Sequence, residues 1–119
     1  MSADPHEAYL ATMPPGTRTR LKAIRAEVER RLPGAKRDIA YQMPALRTGS
    51  GKNRVFFYFA GFRKHIGIYP PVHDAALLAE LTPWRGPKDN LILPLNDPLP
   101  LDLVGRLAEA LARQYQALT

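Results

Sequence analysis

The sequence predicts an α+β fold, with helices packed on one face of an antiparallel sheet, and three observations carry that expectation. Apolar residues recur every three or four positions in two long segments, at Leu21, Ile24, Val28 and Leu32 and again at Leu101, Val104, Leu107, Leu111, Tyr115 and Leu118. Between them lie short runs of alternating or aromatic and β-branched residues, each closed by proline or glycine. Two of those runs are separated only by Gly61, Phe62, Arg63 and Lys64, a distance suited to a hairpin.

Asp4 followed by Pro5 reads as the start of a short helix over 5–12, ended by Pro14, Pro15 and Gly16. Thr17 can cap a second helix reaching about Leu32, stopped by Pro33 and Gly34. From Lys36 the period drops to two. Ile39, Tyr41 and Met43 alternate with Asp38, Ala40 and Gln42, predicting one strand that ends at Pro44. Residues 48–53 have the composition of a turn. Residues 55–60 follow, with aromatics on both faces as in a central strand, and then 65–69, halted by Pro70 and Pro71. Asp74 can cap a short helix carrying Leu77, Leu78 and Leu81. Residues 90–93 make a last strand, and Pro98 and Pro100 open the terminal helix from Leu101 to about Ala117.

The 119 residues fit one domain over 1–119, with a core from about Tyr9 to Tyr115. The chain has no cysteine, which excludes disulfides, thiol catalysis and thiolate zinc sites. No apolar run approaches the roughly 20 residues a membrane helix needs. The N-terminus lacks a basic stretch followed by an apolar one, so a cytoplasmic location is expected. Seventeen Lys and Arg against 11 Asp and Glu leave a net charge of +6, which attracts polyanions.

No catalytic motif stands out. His6, His65 and His73 lack the paired spacing of hydrolytic zinc sites. Gly49-Ser50-Gly51-Lys52 is not a phosphate loop, because the full motif and the following helix are missing. Serine nucleophiles lack their turn motif, and the carboxylates are scattered. Arg18, Lys22 and Arg25 flank the apolar stripe of the second helix, with Arg63, Lys64, Arg85, Lys88 and Trp84 in later loops as a conceivable polyanion face. Alternation puts His65, Gly67 and Tyr69 opposite Ile66 and Ile68, and sets Tyr58 apart from Phe57 and Phe59. Which way Tyr41 faces depends on strand order, which sequence leaves open.

Three ordered segments resemble the YdhG-like domain family, small bacterial proteins first catalogued as a domain of unknown function. They are Ile39-Ala40-Tyr41-Gln42-Met43-Pro44-Ala45, the run from Phe59 to Pro70 (FAGFRKHIGIYP), and Leu91-Ile92-Leu93-Pro94-Leu95-Asn96-Asp97-Pro98-Leu99-Pro100. One departure is Lys88-Asp89-Asn90, where the family pattern runs Lys-Gly-Thr. The resemblance implies a two-layer, YdhG-like or frataxin-like architecture. Some relatives are described as frataxin-like iron chaperones supplying iron for iron–sulfur cluster or haem assembly. Iron donors of that type use acidic surfaces and oxygen ligands, whereas this chain is net +6.

The expected role is therefore a non-enzymatic binding domain with Tyr41, Tyr58, Lys64, His65 and Tyr69 as ligand-binding residues. No resident cofactor is expected, iron entering only through the resemblance. The partner would be a small ligand or a protein, with no sequence-specific nucleic acid and no membrane. The iron chaperone is the alternative, drawing on His65 with His73 and Asp74, although Lys64 beside His65 disfavours a cation there. A small enzyme with His65 as base and a weak polyanion-binding module stand behind these.

Overall fold

The computed structural model describes residues 4–47 and 54–116. Helices α1 (Glu7–Ala11) and α2 (Pro15–Arg31) precede strands β1 (Lys36–Ala40), β2 (Met43–Arg47), β3 (Val55–Gly61) and β4 (His65–Tyr69). Helix α3 (Ala75–Glu80), a 3-10 turn at Thr82–Trp84, β5 (Leu91–Pro94) and helix α4 (Leu101–Gln116) complete the chain. The five strands form one antiparallel meander in the order β1-β2-β3-β4-β5. The architecture is α+β, as the two periodicities imply.

The pleat sends Phe57, Phe59, Ile66, Ile68, Leu91 and Leu93 to the face covered by helices. There they meet Leu21, Ile24 and Val28 of α2 and Val104, Leu107 and Leu111 of α4, all buried. The stripes read from the sequence are thus the two helix faces of one core. Asp74 caps α3 as expected, its Oδ1 accepting from the Leu77 amide at 3.0 Å. Helix α2 starts two residues ahead of Thr17: Pro15 occupies its first turn, where a missing N–H costs nothing, and Thr17 is buried. The turn expected over 48–53 and Leu118 lie outside the described residues.

One local expectation fails, for an identifiable reason. The single strand ending at Pro44 is instead a hairpin, with Ala40 opposite Met43 and a two-residue turn at Tyr41 and Gln42. Both turn residues have positive φ, 52° and 62°, the conformation such tight hairpins demand. Asn-Gly would have announced it; Tyr-Gln continues the alternation and hides it. Pro44 therefore sits inside β2, in a segment whose paired register with β3 begins only at Ala45. β3 is the central strand and carries aromatics on both faces, Phe57 and Phe59 towards the helices and Tyr58 away from them. A register shift opposite Leu46 and Arg47 makes a bulge that turns Phe56 into the same core as Phe57.

Helices α2 and α4 are joined by Arg31, whose guanidinium donates to Glu27 at 2.6 Å, Asp102 at 2.7 Å and Glu109 at 3.1 Å. It lies across Gly105: a Cβ there would overlap Arg31 Nε and stand 2.6 Å from its Cδ. Alanine for glycine in a helix interior ordinarily adds about 1 kcal/mol of stability. Gly105→Ala is expected to lower the thermal midpoint instead, and to raise it in an Arg31→Ala background. A gain in the otherwise unchanged protein would mean that Arg31 is not held between the helices.

Candidate functional site

The sheet face away from the helices carries the aromatic residues that the core does not use. Tyr58 of β3 and Tyr69 of β4 are direct cross-strand partners and so share this face. The Tyr41–Gln42 turn brings the Tyr41 ring to 5.8 Å from that of Tyr58. Farther along, Phe62 and His65 stack, with ring centres 4.9 Å apart and planes inclined by 21°. Beneath the rings lie small residues: Ala45 opposite Tyr58, and Ala60 opposite Gly67, all buried. The close fit is sharpest at Gly67, where a Cβ would stand 3.0 Å from both Phe62 Cε2 and Tyr69 Oη. A side chain at Gly67 would have to displace Phe62 and Tyr69, which both reach over it.

These rings remain open to solvent. Tyr41 is 82% exposed and Phe62 43%, while Tyr58, His65 and Tyr69 are half-buried. Four of the five residues anticipated as a site, Tyr41, Tyr58, His65 and Tyr69, thus share one face. Lys64 lies exposed in the β3–β4 turn next to His65, with its carbonyl accepting from the Leu95 amide at 3.0 Å. Phe62 joins these rings from a turn position, which carries no parity signal in the sequence. Desolvation, then the neighbouring Tyr41 and Tyr115 hydroxyls, push the Tyr58 phenol up, so it remains a neutral hydroxyl at physiological pH.

The face is cationic at its margins. Register places Lys36, Asp38 and Arg47 on it, and among its described strand residues Asp38 is the one acid. Asp38 pairs with Arg47; the Ile39 amide and that guanidinium hold its carboxyl below the usual range. Arg63 and Lys64 stand exposed at the opposite end, and neither has an acidic partner among the described residues.

The basic flank of α2 is a different structure from the polyanion face the spacing allowed. Arg18 donates to the carbonyls of Leu10 and Met13, and Arg25 to Asp4 and His6. Both clamp the N-terminal segment onto the domain. Arg85 pairs with Asp89, and Trp84 packs against the core. At the centre of the clamp His6 is fully buried, a role no motif announces.

No family model matches this sequence, and no curated protein matches it. A crystal structure does: that of YdhG, a DUF1801-family protein from Bacillus subtilis. It aligns with a TM-score of 0.72 over 91% of this chain and 88% of that one, at 17% identity. The fold is that of a YdhG-like domain. Asp89 has a φ of 63°, a conformation that aspartate tolerates better than most residues. Among the described residues, no three His, Asp or Glu side chains are grouped to hold a metal ion. Nor is any described helix long and apolar enough to cross a membrane.

Proposed function

We propose that this YdhG-like domain is a non-enzymatic binding module that seats a planar, neutral or anionic ligand on the open aromatic face of its sheet. The observation that carries the reading is Tyr41. A tyrosine with positive φ costs about 1–2 kcal/mol, and here that strained turn presents a largely exposed ring against Tyr58. Strain of this kind concentrates at functional positions, and burial does not account for it. His65 supports binding more than catalysis, since its ring lies flat on Phe62 as part of the aromatic surface. The iron alternative has less support: Asp74 is engaged as a helix cap, Asp38 is paired with Arg47, and the open cations repel a metal ion.

The test uses adenosine monophosphate as a planar anionic probe, followed by shifts of backbone and ring resonances in solution. Shifts are expected to cluster on Tyr41, Tyr58, Phe62, His65 and Tyr69. Clustering instead at the shallow groove between α3 and α4, around Asp74, Glu80, Arg106 and Arg113, would move the site off the sheet.

A further inference from the structure

We infer that the ligand of this face is single-stranded nucleic acid, bound with little sequence preference, its bases stacked on the exposed rings and its phosphates held by the marginal cations. The inference rests on the reading above and adds the ligand's class. Exposed aromatic rings backed by a positively charged surface are the chemistry by which single strands are held, because every base offers a π face. Tyr41 and Tyr58 form one ring group, extended across the strands by Tyr69, and Phe62 with His65 forms another. Tyr69 and His65 stand at the two ends of β4, four residues or roughly 13 Å apart along the strand, so the face takes more than one base. Cations stand at both ends, Lys36 at one, Arg63 and Lys64 at the other, so more than one phosphate is engaged. Among the described strand residues the one acid of the face, Asp38, is paired with Arg47.

A duplex fits this chemistry poorly. Its bases are stacked on each other and withhold their π faces, and a broad sheet face does not enter a groove as a helix or ribbon does. A mononucleotide would leave one ring group and the cations of one end unused.

The experiment is an anisotropy titration of a labelled oligothymidylate of about 15 nucleotides, the matching duplex, and a polyglutamate peptide of equal charge. The single strand is expected to bind at least about tenfold tighter than either, with affinity falling steeply between about 50 and 200 mM salt. Tyr41→Gly and Phe62→Ala should each weaken it by roughly 5- to 100-fold. Tyr41→Gly also separates binding from folding, since glycine relieves the positive φ and the thermal midpoint should hold or rise. Arg63→Ala and Lys64→Ala should each reduce the slope of log affinity against log salt by about 0.7. Equal binding of duplex, or equal binding of polyglutamate, would overturn the inference, as would full affinity in Tyr41→Gly. If adenosine monophosphate maps to the face while the oligonucleotide binds no tighter than it, this inference falls and the binding module stands. If neither probe touches the face, both fall.

Discussion

Phe59→Ala is expected to remove about 3–5 kcal/mol of folding stability, the largest loss of any single truncation considered for this domain. Phe59 is 1% exposed at the centre of β3, between the sheet's middle and the helix layer. Its ring meets that of His6 at a near-right angle with centres 5.5 Å apart and lies 5.7 Å from that of Phe57. Truncation loses the transfer energy of the ring and leaves a cavity that two helices and the N-terminal segment all border. Against a total of about 5–15 kcal/mol, the loss takes about a fifth or more of what holds the fold. The urea midpoint should fall by roughly 2 M. Tyr58→Ala, one residue away on the open face, should cost far less. Equal losses would mean that the outer face is a second core and is not available to a ligand.

The second large effect concerns His6. Its Nε2 donates to the carbonyl oxygens of Asp38 and Ala45, each at 3.0 Å. Arg25 Nη1 donates to Nδ1 at 3.2 Å and to Asp4 at 3.1 Å. A guanidinium can only donate, which assigns Nδ1 as acceptor and makes the ring neutral. Around this pair stand Arg37, donating to Asp4 at 2.8 Å, and Glu29, which takes both remaining bonds of Arg37. Desolvation is the largest influence on His6 and pushes its pKa down. The Ala45 carbonyl opposes that, Arg25 reinforces it, Asp4 and the Asp38 carbonyl oppose it, and the net position is below the ordinary histidine range. A histidine depressed in the folded state contributes stability that is complete above its unfolded value of about 6.5 and is lost as pH falls towards the folded value. The denaturant midpoint should therefore decline from about pH 6.5 downwards, before the carboxylates titrate. Asp4, Glu29 and Asp38, all held below their usual range, add a second decline in stronger acid. His6→Gln should abolish the first decline and keep the second. His6→Ala should cost about 3 kcal/mol at neutral pH, because two buried carbonyls and Arg25 lose their partner. A midpoint in the unmutated protein that is flat from pH 7 to 5 would show that the ring takes up its proton without leaving the clamp.

Much of this architecture was written in the chain as periodicity. A stripe such as Leu21, Ile24 and Val28 places a helix against a core whatever else surrounds it, and parity put His65 and Tyr69 together on the face away from Ile66 and Ile68. Those inferences need only local geometry, which the peptide backbone imposes in the same way everywhere. The hairpin at Tyr41 was beyond such reasoning, because its two turn residues are held in a conformation they do not themselves prefer. Only the pairing of β1 with β2, and of β2 with β3, overrides that preference and carries Tyr41 to Tyr58. The bulge that buries Phe56 is likewise a matter of register between strands that composition does not specify. His6 and Arg25 are 19 residues apart, and Asp38 and Ala45 are farther still from His6. Their convergence depends on where the N-terminal segment docks. The sequence by itself determined which faces are apolar and where the helices and most strands lie, because these follow from local spacing. Tertiary structure alone decided that the leftover aromatic residues gather into one open, cation-bordered surface, because strand order and register are properties of contacts between distant segments.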